Sequence, residues 1–221
     1  MLTLVTYAAN TGAATKDFLP DGSLIPQNEH WQIQVQQPPA PEATAKIIAG
    51  PPQQVLSIVN PGPGVDPDQP GGLFYFRFEA ELNLDNVIFE INCKVTSVTP
   101  APGISPFGFG FIDNKKTLEA GLTAGKVFFV PTDEFPVATE NVEFPMDTTD
   151  TFHTYRIVKI AVENGVGNVE LWVDGVRQLN IPYDNLANPT SNAFAGRLGF
   201  GSLLDESVLD IAYVSYSIFS P

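Results

Sequence analysis

A chain of 221 residues, 43% hydrophobic, can bury a sizeable core as one β domain; its 20 prolines and 18 glycines fall between apolar runs, which excludes a disordered polymer. A net charge of −14 argues against a nucleic-acid backbone or an anionic membrane surface as partner, since both repel it. The one cysteine, Cys93, excludes an intramolecular disulfide, and no run approaches the roughly 18 apolar residues of a spanning helix.

Residues 1–17 are expected to form an irregular lead-in with one short strand at LTLVTY. That stretch lacks a basic region ahead of its apolar run, so it is a poor signal peptide. Pro20, Asp21 and Gly22 mark a turn, and Trp31-Gln-Ile-Gln-Val alternates as a strand. Residues 38–52 are proline-rich around KIIAG, which confines any strand there to a short edge. QVLSIV is the next strand, and 60–72, NPGPGVDPDQPGG, is a surface loop.

LFYFRFEAEL, residues 73–82, alternates strictly. The expectation puts Phe74, Phe76, Phe78 and Ala80 inward and Tyr75, Arg77, Glu79 and Glu81 outward. Residues 86–98 alternate too, with Val87, Phe89, Ile91, Cys93 and Val95 inward against Ile88, Glu90, Asn92 and Lys94. Cys93 reads as a buried structural thiol. In PFGFGFID the three phenylalanines point inward and Gly108 and Gly110 outward. NKKTLEAGL, residues 114–122, is the one place for a helical turn. KVFFVP is a strand, and 131–151 is an acidic loop with a short strand at VEF.

Residues 152–183 form an antiparallel meander of three runs, HTYRIVKIAV, NVELWV and VRQLNI. Asn164-Gly165 breaks the first from the second, and Asp174-Gly175 between two alternating runs is a strong hairpin signal. GRLGFGS and SVLDIAYVSYSIF close the chain. The expected organisation is all-β, a single domain spanning 1–221.

Several landmarks occur in a meaningful order: WQI after a Pro-Asp-Gly-Ser turn, FGFGFID, FHTYRI followed by LWVDGV, and LDIAYVSYSI. In these the chain resembles the concanavalin A-like lectin/glucanase superfamily over roughly residues 18–219. The resemblance implies a two-sheet antiparallel jelly-roll sandwich, and it implies an extracellular or cell-surface setting, with a cytoplasmic one left open by the poor signal peptide. Such folds carry lectins, hydrolases, lyases and spacer modules alike, so the site must be argued separately.

The laminarinase-like hydrolases of that superfamily use a Glu-x-Asp-x-(x)-Glu strand. The nearest match here, Glu90-Ile91-Asn92-Cys93-Lys94, keeps one carboxylate of the set, so no catalytic residue is expected. A lyase would need Tyr75, Arg77 and Lys94 to converge, and no spacing says that they do. His30 and His153 make no zinc site. Many relatives hold a structural calcium ion with an Asp on the last strand, in a pattern like Ile-Asp-Tyr-Val. Here Ile211-Ala212-Tyr213-Val214 lacks it, and Asp210, two residues earlier on the same face, is the candidate substitute. Asp66, Asp68, Asp205 and Glu206 are weaker candidates in loops.

The leading expectation is non-catalytic binding of an oligo- or polysaccharide through the concave face. Tyr75 and Trp172 would stack on sugar rings, and Arg77, Glu90 and Asn92 would hydrogen-bond the hydroxyls. The alternatives are a glycan-cleaving enzyme with an atypical site, and a structural or adhesion module joined to other domains of a surface assembly.

Overall fold

The computed structural model describes residues 3–8, 16–17, 31–35, 44–49, 54–60, 73–78, 86–98, 107–112, 117–132, 142–160, 166–184, 197–202 and 206–218. Asp66, Asp68, Glu79, Glu81, Asp205 and His30 lie outside them. The described residues form sixteen strands and no helix: β1 Thr3–Ala8, β2 Lys16–Asp17, β3 Trp31–Val35, β4 Thr44–Ala49, β5 Gln54–Asn60, β6 Leu73–Phe78, β7 Asn86–Val98, β8 Phe107–Ile112, β9 Thr117–Thr123, β10 Lys126–Thr132, β11 Val142–Pro145, β12 His153–Ile160, β13 Val166–Val173, β14 Val176–Asp184, β15 Arg197–Ser202 and β16 Ser207–Ile218.

Two sheets result. The larger, of nine strands, runs β14-β13-β12-β7-β16 and then divides. The free edge of β16 is shared, with β5 along residues 207–211 and β1 along 213–218. The pairing of β16 with β7 slips between Ile211 and Tyr213, so Ala212 is the extra residue of a bulge where one neighbour hands over to the other. β4 extends from β5 and β2 from β1. The smaller sheet runs β11-β10-β9-β8-β15-β6-β3. Every pairing is antiparallel except the two-residue contact of β1 with β2.

The core lies between the sheets. Val87, Phe89, Ile91, Cys93 and Val95 of β7 face Phe107, Phe109 and Phe111 of β8 in one buried cluster. Phe89 meets Phe109 edge-on, with ring centroids 5.9 Å apart at 61°. Each such buried phenylalanine contributes roughly 1.5–3 kcal/mol by leaving water. Cys93 is fully covered, and burial pushes its thiol far up from its ordinary value, so it packs as a small apolar group. Lys159 is also carried inward by the alternation of β12, with its ammonium 5.7 Å from the centre of the Phe111 ring.

The short strand expected in the lead-in is β1, which pairs along all six of its residues with β16. Two expectations are corrected. The segment read as a helical turn is strand β9: its helix-forming residues yield to pairing with β8 on one edge and β10 on the other. The faces of β6 are reversed. Leu73 and Tyr75 point into the core, and Tyr75 stacks on Phe200 at 5.2 Å with the rings 15° from parallel.

Candidate functional site

On the outer face of the nine-stranded sheet, strand register lines up Arg177, Trp172, Arg156, Glu90 and Ser215 across five strands. The next row holds Thr154, Asn92 and Tyr213. These side chains bind one another. Glu90 accepts from Arg156 Nε at 2.5 Å and from the Tyr213 hydroxyl at 2.8 Å. Asn92 Nδ2 donates to Thr154 Oγ1 at 2.9 Å. Glu170 accepts from Trp172 Nε1 at 2.8 Å and from Arg177 at 2.7 Å. Burial, and then the hydrogen bond to Glu90, pushes the Tyr213 phenol up to about 12, so it stays a donor. The row is a brace across the strands whose polar groups answer each other.

The brace ends at His153. Its Nδ1 lies 2.7 Å from Asp174 Oδ2 and its Nε2 lies 2.8 Å from Asp150 Oδ1. Asp174 opens the two-residue hairpin turn, with φ of 49° followed by 79° at Gly175, and its other oxygen accepts from Thr154 N at 2.8 Å. Burial alone would lower the imidazole's pKa, but the bonds and charges of Asp174 and Asp150 outweigh it and hold it above its ordinary value. With both nitrogens taken by carboxylates, this histidine is a clamp on the hairpin.

Asp210 sits opposite Lys94 on β7, and its Oδ2 accepts from Thr96 Oγ1 at 2.9 Å. Its Oδ1 is covered and has no partner among the described residues. A calcium ion takes six to eight oxygens. Among the described residues no group of three His, Cys, Asp or Glu side chains stands together, and Asp210 and Thr96 supply two oxygens.

The outer face of the seven-stranded sheet is built differently. Gly108 and Gly110 of β8 pair with Gly201 and Gly199 of β15, giving a floor of four glycines. Phe74 leans over it from β6: a Cβ on Gly199 would lie 2.2 Å from the Phe74 ring, and one on Gly201 would lie 2.9 Å from it. Glu119 leans over it from β9, with Oε1 only 1.8 Å from where a Cβ on Gly108 would stand. Only glycines admit both side chains at these positions. Gly108 and Gly201 are directly paired, so the glycine under the carboxyl and a glycine under the ring are neighbours across the seam between β8 and β15. Phe128, opposite Gly121, covers the far flank.

Glu119 Oε1 is covered and has no hydrogen-bond partner among the described residues, while the residue as a whole stays partly open. Burial pushes its carboxyl up to about 7. A perturbed carboxyl with an unanswered oxygen, close to an aromatic ring on a glycine floor, makes this face the candidate site.

The residues expected to share one face are thus divided. Glu90, Asn92 and Trp172 lie together on the nine-stranded sheet, where they are engaged with neighbours. Tyr75 and Arg77 belong to the other sheet. Tyr75 is buried in the core and presents nothing to a ligand, and the Arg77 side chain lies outside the described residues. Sequence reading missed Glu119 because it was placed in a helical turn. The signal that could have found it is the repeated Gly-Phe-Gly of β8 and β15, which leaves one face empty on two adjacent strands.

No protein-family model matches the chain, and no curated protein matches it. Several solved structures do. A carbohydrate esterase from the Shiga toxin-encoding bacteriophage phi24B superposes with a TM-score of 0.64 at 12% identity, over all of both chains. An endo-1,3-beta-glucanase from Streptomyces sioyaensis superposes with 0.57 at 12% identity, over 90% of this chain and 92% of that one. The carbohydrate recognition domain of Emp47p superposes with 0.53 at 10% identity, over 86% of this chain and 89% of that one. At such identities the likeness is one of fold. Two antiparallel sheets on one aromatic core, with these structures as neighbours, make the chain a concanavalin A-like jelly-roll sandwich.

Proposed function

We propose that the chain is a glycan-binding module and that the outer face of its seven-stranded sheet is the binding surface. The carrying observation is the glycine floor flanked by the Phe74 ring and the Glu119 carboxyl. An aromatic face suits the apolar face of a pyranose, and a carboxyl beside it suits a hydroxyl. The fold neighbours support a sugar partner, since their names concern carbohydrate esterase, glucanase and carbohydrate-recognition proteins. A net charge of −14 favours an uncharged oligo- or polysaccharide. An extracellular or surface setting, with other domains of an assembly alongside, belongs to the same reading.

A glycan array run with and without calcium tests it. Binding is expected, with loss in Phe74→Ala and retention in Trp172→Ala. Loss in Trp172→Ala with retention in Phe74→Ala would move the site to the other sheet.

One observation favours a second reading, an enzyme. A carboxyl raised to about 7 is suited to general-acid work. Retaining glycosidases pair two carboxyls about 5 Å apart. On this face the nearest other described carboxylate is Glu143, two strands from β9 and ion-paired with Lys126. A lone carboxyl suits binding better than hydrolysis. New reducing ends in an assay on every array hit would reverse that judgement.

A further inference from the structure

We propose that Glu119 determines the specificity of this surface by acting as an uncharged hydrogen-bond donor, so that its ligand is an uncharged glycan presenting an oxygen to it. The inference rests on the glycan-binding reading and adds the protonation state and the ligand class.

The surroundings of Glu119 argue for the acid form. Below it lies Gly108, beside it Gly110, and Gly121 follows on its own strand, so none of these positions offers a side chain to solvate a charge. Across the seam is the Phe74 ring, and on β10 Phe128 is buried on the same face. Of the charged groups on this face, Lys126 and Glu143 are bound to each other at one end. Arg197 stands two residues before Gly199 in the outward phase of β15, and its side chain lies outside the described residues. The remaining outward positions of β9, Thr117 and Thr123, carry no charge. An ionised carboxyl here would lack both water at Oε1 and a described counter-charge, which is costly. Burial accordingly raises its pKa to about 7.

A neutral acid supplies one strong donor and no charge. A cationic ligand would find no anion to pair with, and an anionic one would meet a chain of net charge −14. An uncharged sugar, whose hydroxyl and ring oxygens accept and whose apolar face stacks on Phe74, meets neither obstacle.

The test is calorimetric titration with laminarihexaose and cellohexaose at about pH 5.5 and about pH 8.5, on the wild type, Glu119→Gln and Phe74→Ala. Carbon NMR of the Glu119 carboxyl in the free protein accompanies it. If only the protonated form binds, wild-type affinity falls about thirtyfold between the two pH values, since each unit above the pKa is a factor of ten. Glu119→Gln keeps the shape and a donor without the titrating proton, so it holds the low-pH affinity at both. Phe74→Ala loses binding at both. Binding that ignores pH in the wild type, or that Glu119→Gln abolishes at both pH values, overturns the donor role and leaves the glycan-binding surface standing. Binding of neither hexasaccharide at either pH overturns the surface and the donor role together. A carboxyl that NMR shows ionised at pH 5.5 overturns the donor role whatever the titrations give.

Discussion

Glu90 on the nine-stranded sheet accepts from Arg156 and Tyr213, while Oε1 of Glu119 on the seven-stranded sheet accepts from no described residue. Both carboxylates sit mid-strand on an outer face, and both are mostly covered. The difference lies in their neighbours. Around Glu90 both neighbouring strands present a polar partner, so the face closes on itself and braces β12, β7 and β16. Around Glu119 the adjacent strands present glycine and phenylalanine. Hydrogen bonds to a charged group stabilise by about 1.5–3 kcal/mol, and leaving such a group unanswered costs as much or more. A fold that satisfies one carboxyl and strands the other has a use for the second that folding does not explain.

The largest effect should come from filling the glycine floor. A side chain on Gly201 would begin 2.3 Å from the Leu73 carbonyl oxygen and 2.7 Å from the Phe74 Cα, and backbone cannot step aside cheaply. Gly201→Val should cost about 3 kcal/mol, read as a fall in the urea midpoint. A midpoint within error of the wild type would mean that the floor has room and that the close approach of Phe74 is not structural.

The second effect separates the two carboxyls by pH. Glu119 has a folded value, about 7, above its ordinary 4.5. The neutral form is favoured in the fold, so its contribution is fully present below about pH 4.5 and is lost as pH rises through 7. The loss is on the order of 2–3 kcal/mol. Glu119→Gln should remove that decline, measured as the difference in unfolding free energy from pH 4.5 to 8. A variant whose curve runs parallel to the wild type would show that burial does not perturb this group.

The third effect belongs to the brace. Glu90→Ala leaves the Tyr213 hydroxyl and the half-exposed Arg156 without their acceptor and should cost about 1–2 kcal/mol, with no change in glycan affinity. A double-mutant cycle with Tyr213→Phe reads the coupling directly. Additive losses would mean that the brace is only proximity.

Much of this contrast was legible in the sequence, and each exception has its own physical cause. The β7 pattern gave the right inward set because one of its faces is apolar and the other is not. The Asp-Gly turn of the meander fell where expected because only a few residues adopt its left-handed φ values. β6 was read in the wrong phase because both of its faces are apolar: Tyr75 packs into the core and Phe74 onto the glycine floor. Alternation shows that two faces exist, not which one is inner when both are greasy. β9 was read as helical because Leu, Glu and Ala are local helix formers, and its strand partners are distant in sequence. Asp210 was placed by counting phase toward Ala212, where a bulge breaks the count.

The smallest effect sharpens the contrast at the end of the brace, where His153 shows a titratable group that does have partners. Its pKa is raised: burial opposes protonation, and the Asp174 and Asp150 carboxylates overcome it. The protonated form is therefore the one the fold prefers. Its contribution is fully present below the unfolded value near 6.5 and disappears as pH rises through the higher folded value. Asp150 is lowered by its bond to the same histidine, so the clamp also weakens in acid, below the ordinary carboxylate range. His153→Ala should cost somewhat under about 1 kcal/mol near pH 6 and much less above pH 8. Amide exchange at Thr154, whose N–H donates to Asp174, should speed up only in the lower range. Glu119 and His153 then titrate in neighbouring pH ranges with the same sign but for opposite reasons: one lacks a partner for its charge, and the other has two. A His153→Ala loss that is equal at both pH values would reduce the clamp to packing.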